Sequence, residues 1–373
     1  MVSVPTPRRF DLVIVGGGVI GLTTALLATS GRDGRSVLLV DQDRPGCGAS
    51  GWSAALVGRF APTHAHRALV ADSLRRFRSE PLSGHVRGVP ALVVVPANRL
   101  DWLQASLCRE RLPPAGPAEL AALRAAYPDL VVRPDEQVCS GNPFVVDVPG
   151  LTRAVLTRGD AVRCWSGTQV ERIVRDRDTW RVVTMTGTAV SADRVVVATG
   201  PWRPPPHQID REVTRPPALP VKRVTALHLA APTGPAVPAV LFPADDQFLL
   251  PGRHEALFSF YRDVWPAPGE PLLPGIDAAD VEHGRRALRE RSAVLAESIV
   301  GGRAFYDAYA PQRIPRLDAD PDRPGLVYVQ GGSGSGVGLA PALAARALRA
   351  CSLPTATDPP LDPAGRTEEK GDP

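Results

Sequence analysis

The sequence lacks the features of membrane-spanning and disulfide-stabilised proteins. No apolar run reaches the length of about 18 residues that a membrane-spanning helix needs, so we expect no membrane span. The five cysteines form no Cys-x-x-Cys pair and are odd in number, which argues against a zinc site or a disulfide framework. The chain start contains no apolar stretch before a small-residue cleavage site. These absences predict a cytoplasmic protein without a bound metal.

A strong excess of one charge sign is also absent. Lys and Arg total 43 against 39 for Asp and Glu, which leaves a net charge of +4 on 373 residues. The basic residues are mostly scattered arginines rather than clusters interleaved with aromatic residues, so no nucleic-acid partner is expected. The small positive excess predicts at most a mild attraction for anionic substrates. The chain is long enough for two domains.

Proline, in contrast, is abundant, with 40 residues. Residues 201–220 and 232–243 hold enough prolines to exclude regular helix and central strand, which predicts crossings between domains or long surface connections. Residues 353–373 combine Pro, Asp, Thr and charged residues without apolar periodicity. This composition predicts a disordered tail.

The strongest positive pattern is a dinucleotide-binding unit at residues 10–41. The apolar run at 10–15 predicts a buried parallel strand, and residues 16–21 follow at once and match G-x-G-x-x-G. A helical pattern and a second strand come next, and that strand ends in Asp41. Strand, glycine turn, helix, strand and terminal acid in this order predict a nucleotide-binding βαβ unit.

The glycines of this turn and the terminal acid have separate predicted roles. Gly16 allows the tight turn, Gly18 lets the backbone approach a pyrophosphate, and Gly21 lets the helix pack on the strand. The helix N-terminus offers free N–H groups and partial positive charge to the phosphates. Asp41 is placed to accept hydrogen bonds from a ribose 2′-hydroxyl.

A second glycine-rich turn occupies residues 331–338, between a predicted strand at 325–331 and a final helix through Ala350. Its five glycines permit close approach of the backbone to a ligand, and the helix N-terminus favours negative charge. We expect Pro341 in the first turn of that helix, where proline is well tolerated. The turn does not repeat G-x-G-x-x-G, so it does not predict a separate nucleotide site.

Between these turns, periodicity predicts further helices and strands. The predicted helices are 66–80, 98–127 and 280–299, and the predicted strands are 91–95, 162–165, 170–174, 180–185 and 194–198, with strand-like alternation at 221–230 and 239–262. Nucleotide-type elements therefore occur at both ends and in the middle of the chain. This order predicts a discontinuous nucleotide domain that a second domain interrupts twice.

Four segments carry a resemblance to a known family. They are residues 11–21 with Asp41, the loop 46–51, the strand end 195–202 and the turn 331–339. On these motifs the chain resembles the superfamily of D-amino-acid oxidase, glycine oxidase and sarcosine oxidase, the DAO family of FAD-dependent amine oxidoreductases. The four motifs occur in the family order and span nearly the whole chain.

The resemblance implies an α/β fold with two parts. One is a discontinuous Rossmann-like FAD-binding domain at 8–60, 145–204 and 301–352. The other is a mixed-sheet α+β substrate domain at 61–144 and 205–300. The proline-rich segments would then connect the two.

The resemblance also implies FAD as the cofactor and assigns residues to it. The implied cofactor contacts are Gly16, Gly18, Gly21, Asp41, Gly48, Ala49, Ser50, Val170, Gly200, Trp202, Gly332, Gly334, Gly336, Gly338 and Leu339. The late turn would bring a helix N-terminus to the flavin pyrimidine edge, where its dipole would stabilise the anionic reduced flavin. Some relatives attach the flavin to a cysteine in the segment matching 306–311, where this chain has none, so we expect noncovalent FAD.

The substrate-binding residues match the family less well. Relatives hold an amino-acid carboxylate with an arginine in a Gly-Leu-Arg-Pro sequence, and Ala310 occupies that arginine's position here. Arg262 or Arg313 could supply the guanidinium instead, because its bidentate fork suits a carboxylate, and each could equally be a solvated surface arginine. Tyr261 could orient the substrate or be an ordinary strand aromatic, and the same alternatives hold for Tyr306 and Tyr309.

The implied reaction is oxidation of a C–N bond in a small amine or amino-acid-like substrate. Hydride would pass to flavin N5, and dioxygen would reoxidise the flavin to give hydrogen peroxide. Two alternatives stay open: an FAD dehydrogenase with a quinone or protein acceptor, and a flavin-binding subunit without its own turnover. An NADPH-dependent monooxygenase is disfavoured because no second dinucleotide fingerprint is present. Bulky residues at 258–262 also fit a specialised biosynthetic pathway. The substrate and the oligomeric state stay undetermined.

Overall fold

A computed structural model describes residues 9–31, 33–108, 111–319, 324–353 and 355. The predicted tail at 353–373 lies outside these residues except for Leu353 and Thr355. The described chain forms twenty strands in three sheets, together with nine α-helices. No helix within these residues combines the length and the apolar character needed to cross a membrane.

Every predicted helix occurs, although two of them are divided, and the structure adds two helices that were not predicted, at Ala49–Trp52 and Val148–Leu156. The helices are α1 (Val19–Ala28), α2 (Ala49–Trp52), α3 (His64–Phe77), α4 (Leu100–Ala105), α5 (Pro117–Ala126), α6 (Val148–Leu156), α7 (Ala278–Arg289), α8 (Ala293–Glu297) and α9 (Gly336–Ala350). Two consecutive prolines between α4 and α5 break the predicted helix 98–127. The predicted helix 280–299 breaks at Ser292, whose hydroxyl caps α8 by accepting from the Leu295 N–H at 2.9 Å.

The final helix begins five residues before Pro341, so this proline lies in the second turn and not in the first as predicted. Proline at this position has no N–H to donate to the Val337 carbonyl. Small side chains keep the helix in place, because they let it approach α1 and the sheet closely. Ala340 and Ala344, for example, are fully buried in the core that α1 and α9 share.

The strands form three sheets of different size. The strands are β1 (Arg9–Val15), β2 (Val37–Val40), β3 (Leu56–Val57), β4 (Val86–Gly88), β5 (Ala91–Pro96), β6 (Glu136–Gly141), β7 (Phe144–Val146), β8 (Val162–Trp165), β9 (Val170–Asp176), β10 (Thr179–Thr184), β11 (Ala189–Val197), β12 (His207–Ile209), β13 (Glu212–Thr214), β14 (Val221–Leu229), β15 (Ala239–Phe242), β16 (Gln247–Pro251), β17 (Ala256–Phe260), β18 (Ile299–Ala308), β19 (Arg316–Ala319) and β20 (Leu326–Gln330). The first sheet has the order β13-β12-β9-β10-β11-β1-β2-β8, with β20 beside β11 and β19 beside β20. The second has the order β18-β14-β17-β16-β15-β5-β6, and the third joins β3, β7 and β4.

Five parallel strands form the centre of the first sheet: β8, β2, β1, β11 and β20. Val13 of β1 pairs with Leu38 of β2 on one side and with Val195 of β11 on the other. All three residues are fully buried, which explains why these strands are continuous apolar runs. The carboxyl ends of the five strands therefore open along one edge of the sheet.

The second sheet packs one face on helices and turns the other toward a cleft. On the helix side, Leu227, Phe258 and Leu288 are almost completely buried. Because side chains alternate along a strand, the neighbours Ala226 and Ser259 lie on the opposite face, where they line the cleft. A Rossmann-like parallel core beside a sheet of mixed direction confirms the predicted fold class.

The predicted domain boundaries stay a prediction, and two elements extend across them. Strand β18 begins near the start of the segment 301–352, yet it pairs along its length with β14 of the second sheet. Helix α3 lies within 61–144 but packs against α9, where the Ala342 N–H donates to Ser73 Oγ at 3.2 Å. Both elements cross the predicted domain boundaries because long-range contacts decide where an element lies in the fold. The local sequence pattern carries no information on those contacts.

Candidate cofactor and substrate site

The motifs that are distant in sequence meet at the carboxyl edge of the first sheet. Gly16, Asp41, Ala198 and Gly331 each directly follow one of its parallel strands. Backbone hydrogen bonds continue past the strand ends: the Gly16 N–H donates to the Val40 carbonyl at 2.8 Å. Ligands of open parallel sheets bind at this edge, so the fold places the predicted nucleotide motifs where such a ligand would lie.

Two glycines of the first turn are required by the protein itself. Gly16 has φ of +104°, and a Cβ there would lie 2.3 Å from the Ala198 carbonyl oxygen. A Cβ on Gly21 would lie 1.9 Å from the Gly16 carbonyl oxygen. Gly18 is different, because its nearest neighbour would be Ser50 Oγ at 3.4 Å, an ordinary contact. Its lack of a side chain leaves the N-terminus of α1 open to a ligand.

Asp41 is anchored at the end of β2. Its carboxylate accepts hydrogen bonds from the Gly17 N–H at 2.6 Å and the Asp43 N–H at 2.8 Å. Its carbonyl accepts from the Thr168 N–H at 2.8 Å, which brings the segment that leads to Val170 to the same place. Each carboxylate oxygen retains acceptor capacity after these bonds, so a ribose hydroxyl can still donate to Asp41.

The short helix α2 is tied to the first turn. Ser50 Oγ accepts from the Val19 N–H at 2.9 Å, and the Gly46 N–H donates to the Gly17 carbonyl at 2.8 Å. Ala49 and Ser50 line the cleft. Gly48 has open space where a Cβ would stand, so the protein itself does not require glycine there.

The second glycine turn is held by an acid that the sequence reasoning missed. Asp307 on β18 accepts from the Gly334 N–H at 2.6 Å and from the Ala308 N–H at 2.9 Å. Burial raises the pKa of Asp307 to about 6, although both N–H bonds act in the opposite direction. A single acid inside a mostly apolar strand was the sequence signal that could have indicated it. Gly334 and Gly336 line the cleft beside Asp307.

The other predicted cofactor residues divide into surface and interior positions. Gly200 has φ of +62°, and Trp202 is 41% exposed just after β11. A Cβ on Gly338 would meet Val57 Cγ1 at 3.0 Å, and the Leu339 side chain is buried in the core, so these two positions serve packing between α9 and its neighbours. Gly332 lies within the turn, where an added Cβ would be 3.0 Å from the Cα of Gly336.

An open cleft with a cavity volume of about 220 Å³ separates the cofactor edge from the second sheet. Ala49, Ser50, Gly334 and Gly336 line it from the first sheet's side. The cleft-facing side chains of the second sheet include Lys222, Val224 and Ala226 of β14, Phe248 of β16, Leu257 and Ser259 of β17, and Arg303, Phe305 and Asp307 of β18. Charged groups are thus set within an otherwise apolar wall, a pattern typical of small-molecule sites.

Lys222 is a second cleft residue that the sequence reasoning missed. It is only 5% exposed, and its Nζ lies 3.7 Å from the centroid of the Tyr261 ring. The ring centroids of Trp265 and Tyr309 are each 5.8 Å away. Burial lowers the pKa of Lys222, against the opposing effect of nearby carboxylates. The aromatic rings stabilise the Lys222 ammonium group by cation–π contact, so its charge can interact with a ligand in the cleft.

The two arginines predicted to hold a substrate lie at the margin of the cleft. Arg262 borders the cleft, but its Nε donates to the buried carboxylate of Asp280 at 3.1 Å. Arg313 is exposed in the short turn Pro311–Arg313, and it is not among the described residues that line the cleft. Its carbonyl bonds His66 Nε2 at 3.0 Å. The Arg313 guanidinium carbon lies 5.9 Å from the ring centroid of Tyr309. The assignment of Arg262 or Arg313 to a substrate carboxylate stays a prediction.

Two of the three predicted tyrosines line the cleft. Tyr261 lines the cleft, is 40% exposed and donates its hydroxyl to Asp263 at 3.1 Å. Tyr309 also lines the cleft, and burial raises the pKa of its hydroxyl to about 12. Both are placed to contact a substrate, whereas Tyr306 is bonded to Arg223 on the other face of the sheet.

These features fit a long dinucleotide with a flavin at one end. The open N-terminus of α1 suits a pyrophosphate, Asp41 suits the adenosine ribose, and the N-terminus of α9 opens on the cleft near Gly336. Gly336 has no neighbour within 4 Å of an added Cβ, so its backbone is accessible. The geometry defines a dinucleotide-dependent oxidoreductase of the FAD-binding class.

The comparisons with known proteins give the family. The family model for FAD-dependent oxidoreductases, DAO, matches residues 11–349, and the chain belongs to this family. The cofactor of the family is FAD, as the motifs predicted.

Relatives extend the likeness over most of the chain. The tRNA 5-methylaminomethyl-2-thiouridine biosynthesis bifunctional protein MnmC of Caulobacter sp. (strain K31) is 28% identical over 96% of this chain, which spans only 57% of that protein. Glycine oxidase from Geobacillus kaustophilus shares 18% identity at a TM-score of 0.70, covering 98% of this chain and all of that one. L-proline dehydrogenase from P. horikoshii shares 16% identity at a TM-score of 0.73, covering 94% and 96%.

Proposed function

We propose that the protein oxidises a C–N bond of a small amine or amino-acid-like substrate, giving an imine that water hydrolyses. Bound FAD supplies the hydride acceptor, at N5, and dioxygen then serves as the final acceptor to give hydrogen peroxide. The observation that carries the proposal is one shared cleft. It has the cofactor edge on one side and, on the other, the cations Lys222 and Arg303 with Tyr261.

The chain's own groups prepare the substrate in this cleft. Hydride can leave the α-carbon only when the attached amine is neutral. A neighbouring cation disfavours a protonated ammonium, so Lys222 and Arg303 both favour the neutral amine. Tyr261 and Tyr309 supply ring surface on which the substrate can be aimed. No strong base is needed for this role, which agrees with the site's lack of a histidine among the described lining residues.

The cofactor is proposed to be held without a covalent bond. No cysteine occurs in residues 306–311, and Cys47, within the loop 46–51, is partly buried and free. Asp41, the two helix N-termini and the bonds of Asp307 to the second turn would hold FAD instead. Denaturing the purified protein should then release all of its flavin into solution.

The test is anaerobic reduction of the purified, FAD-loaded protein by a panel of amines and amino acids. Bleaching of the visible flavin absorbance by at least one compound, followed by peroxide formation in air, is the expected result. The panel should include an aminomethyl-bearing nucleoside, because the name of the MnmC relative refers to such a group. If no compound reduces the flavin, the oxidase proposal is wrong.

The second candidate is a dehydrogenase that uses a quinone or a protein as acceptor. The likeness to L-proline dehydrogenase supports it. In that case substrates would bleach the flavin, but air would restore its absorbance slowly while a soluble quinone restored it fast. A third candidate is a flavin-binding subunit without its own turnover, and stable FAD with no reduction by the panel would favour it.

A further inference from the structure

Arg303 is the one described cleft-lining arginine that does not bond a carboxylate of the protein. It lies on β18 opposite Ala226 of β14, on the side of the sheet that faces the cleft. Its Nε atom is buried and has no hydrogen-bond partner within the described residues. Burial lowers the pKa of Arg303, and only the charge of Glu255 opposes this.

The other partly buried arginines nearby show what this residue lacks. Arg223 and Arg262 both bond the carboxylate of Asp280, at 2.6 Å and 3.1 Å. A buried charge is unfavourable unless it is paired and its donors are bonded. A hydrogen-bond partner for Arg303 must therefore come from outside the described residues, and the open side of its surroundings is the cleft.

Glu255 favours the charged form of Arg303 without forming a hydrogen bond to its guanidinium group. The Glu255 carboxylate is committed to His228, with Oε1 2.7 Å from Nδ1. His228 pairs with Gly301 and Leu257 in the sheet, so this His228–Glu255 contact lies beside Arg303 on the neighbouring strand. The carboxylate raises the pKa of Arg303 from there, which leaves the guanidinium donors available to a ligand.

We propose that Arg303 recognises an anionic group of the substrate, and that the substrate is an amine that also carries a carboxylate. The substrate class rests on the proposed function, whereas anion binding by Arg303 does not. A guanidinium presents two parallel N–H donors, which match the two oxygens of a carboxylate. Arg303 thus takes the role that the sequence reasoning assigned to Arg262 or Arg313.

The experiment compares the FAD-loaded wild type with Arg303→Met and Arg303→Lys. The matched control is Arg286→Met, since that side chain is 71% exposed on α7. Binding of acetate and butyrate is followed through the change in the flavin spectrum. Anaerobic flavin reduction is then measured with amino acids and with the amines that lack their carboxylate.

The expected result is a loss of carboxylate affinity of about 10- to 100-fold in Arg303→Met, the range of a charge-assisted hydrogen bond. The preference for amino acids over the matched amines should fall by a similar factor, with a smaller fall in Arg303→Lys. FAD content and the Arg286→Met control should not change. If Arg303→Met reduces carboxylate affinity although no compound reduces the flavin, anion binding stands and the proposed reaction fails.

Two outcomes would overturn the proposal. In one outcome, the wild type and Arg303→Met bind carboxylates equally, or neither binds them, while amines still reduce the flavin. The proposed reaction would then hold, but anion recognition by Arg303 would be rejected. The other is a loss of bound FAD or a shifted flavin potential in Arg303→Met with unchanged carboxylate preference. That result would assign Arg303 to the cofactor.

Discussion

Single glycines decide whether the cofactor turn can form at all. Gly16 lies so close to the Ala198 backbone, and Gly21 so close to the Gly16 backbone, that a side chain fits at neither position. Gly48, in contrast, has open space around the Cβ position and an extended backbone with φ of −75°. The glycines of one cofactor edge are therefore not equivalent, although all of them match family motifs.

We expect Gly21→Ala to lower the free energy of unfolding by about 3 kcal/mol or more, because the new Cβ meets a backbone oxygen that cannot move aside. Chemical denaturation measures this loss. Gly48→Ala is the matched control, and it should unfold as the wild type does. Equal stability of the two variants would show that the turn can relax around Gly21.

Asp307 makes stability depend on pH. Its folded pKa of about 6 lies above the ordinary value of 3.8, so the folded protein holds this proton more tightly than the unfolded chain. Its contribution is therefore complete below the ordinary value and is lost as the pH rises through the folded value.

For Asp307→Asn, the stability difference between wild type and variant should change with pH. Relative to the variant, the wild type should lose on the order of 1 kcal/mol between about pH 5 and about pH 7.5, as measured by urea unfolding. Asp176→Asn, at an exposed position on β9, is the control and should show no such trend. A pH-independent difference for Asp307→Asn would mean that Asp307 stays ionised throughout.

At the scale of elements, one buried acid fastens a helix to the second sheet. Asp280 on α7 is fully buried and accepts from Arg223 of β14 and from Arg262, which follows β17. Two strands and a helix thus share a single carboxylate. This arrangement explains why Arg262, despite its place beside the cleft, serves the fold.

Replacing Asp280 by Asn should lower the free energy of unfolding by about 3 kcal/mol, because it leaves Arg262 without a carboxylate partner and Arg223 with only the longer contact to Asp277 at 3.7 Å. Thermal unfolding of the loaded protein is the measurement. Glu282→Gln, on the same helix at 56% side-chain exposure, should cost much less. Similar losses in the two variants would contradict the shared role of Asp280.

Elements were predictable where the deciding interactions are local. The strand β1, the turn after it and α1 follow from an apolar run and glycine spacing, and they occur as predicted. The divisions of the two helices also have local causes, namely two consecutive prolines and the Ser292 cap. A prediction from apolar periodicity alone does not take these residues into account. The place of β18 in the second sheet was not predictable, because pairing with β14 is a long-range interaction.

At the scale of the whole molecule, the cofactor should tie distant segments together. Asp41, α2, the segment before Val170 and the second glycine turn all contribute to one edge of the first sheet. A ligand that spans this edge stabilises only the folded chain.

We expect added FAD to stabilise the flavin-free protein by about 3 kcal/mol at a hundredfold excess over its Kd. FMN should stabilise it less, because it lacks the adenosine ribose that Asp41 is placed to bind. The shift in Tm on adding each flavin measures this. In Asp41→Asn, the difference between FAD and FMN should shrink, and an equal Tm shift by both flavins in the wild type would contradict the assignment of Asp41.

The sequence by itself determined the nucleotide unit, the order of the four motifs and the FAD-dependent family. It could do so because glycine spacing and apolar strands are requirements of the local backbone. Only the tertiary structure decided which charged groups face the cleft. Whether Arg262 or Arg303 is available to a ligand depends on Asp280, a residue brought near by folding, and Lys222 and Asp307 become site residues only once β14 and β18 pair.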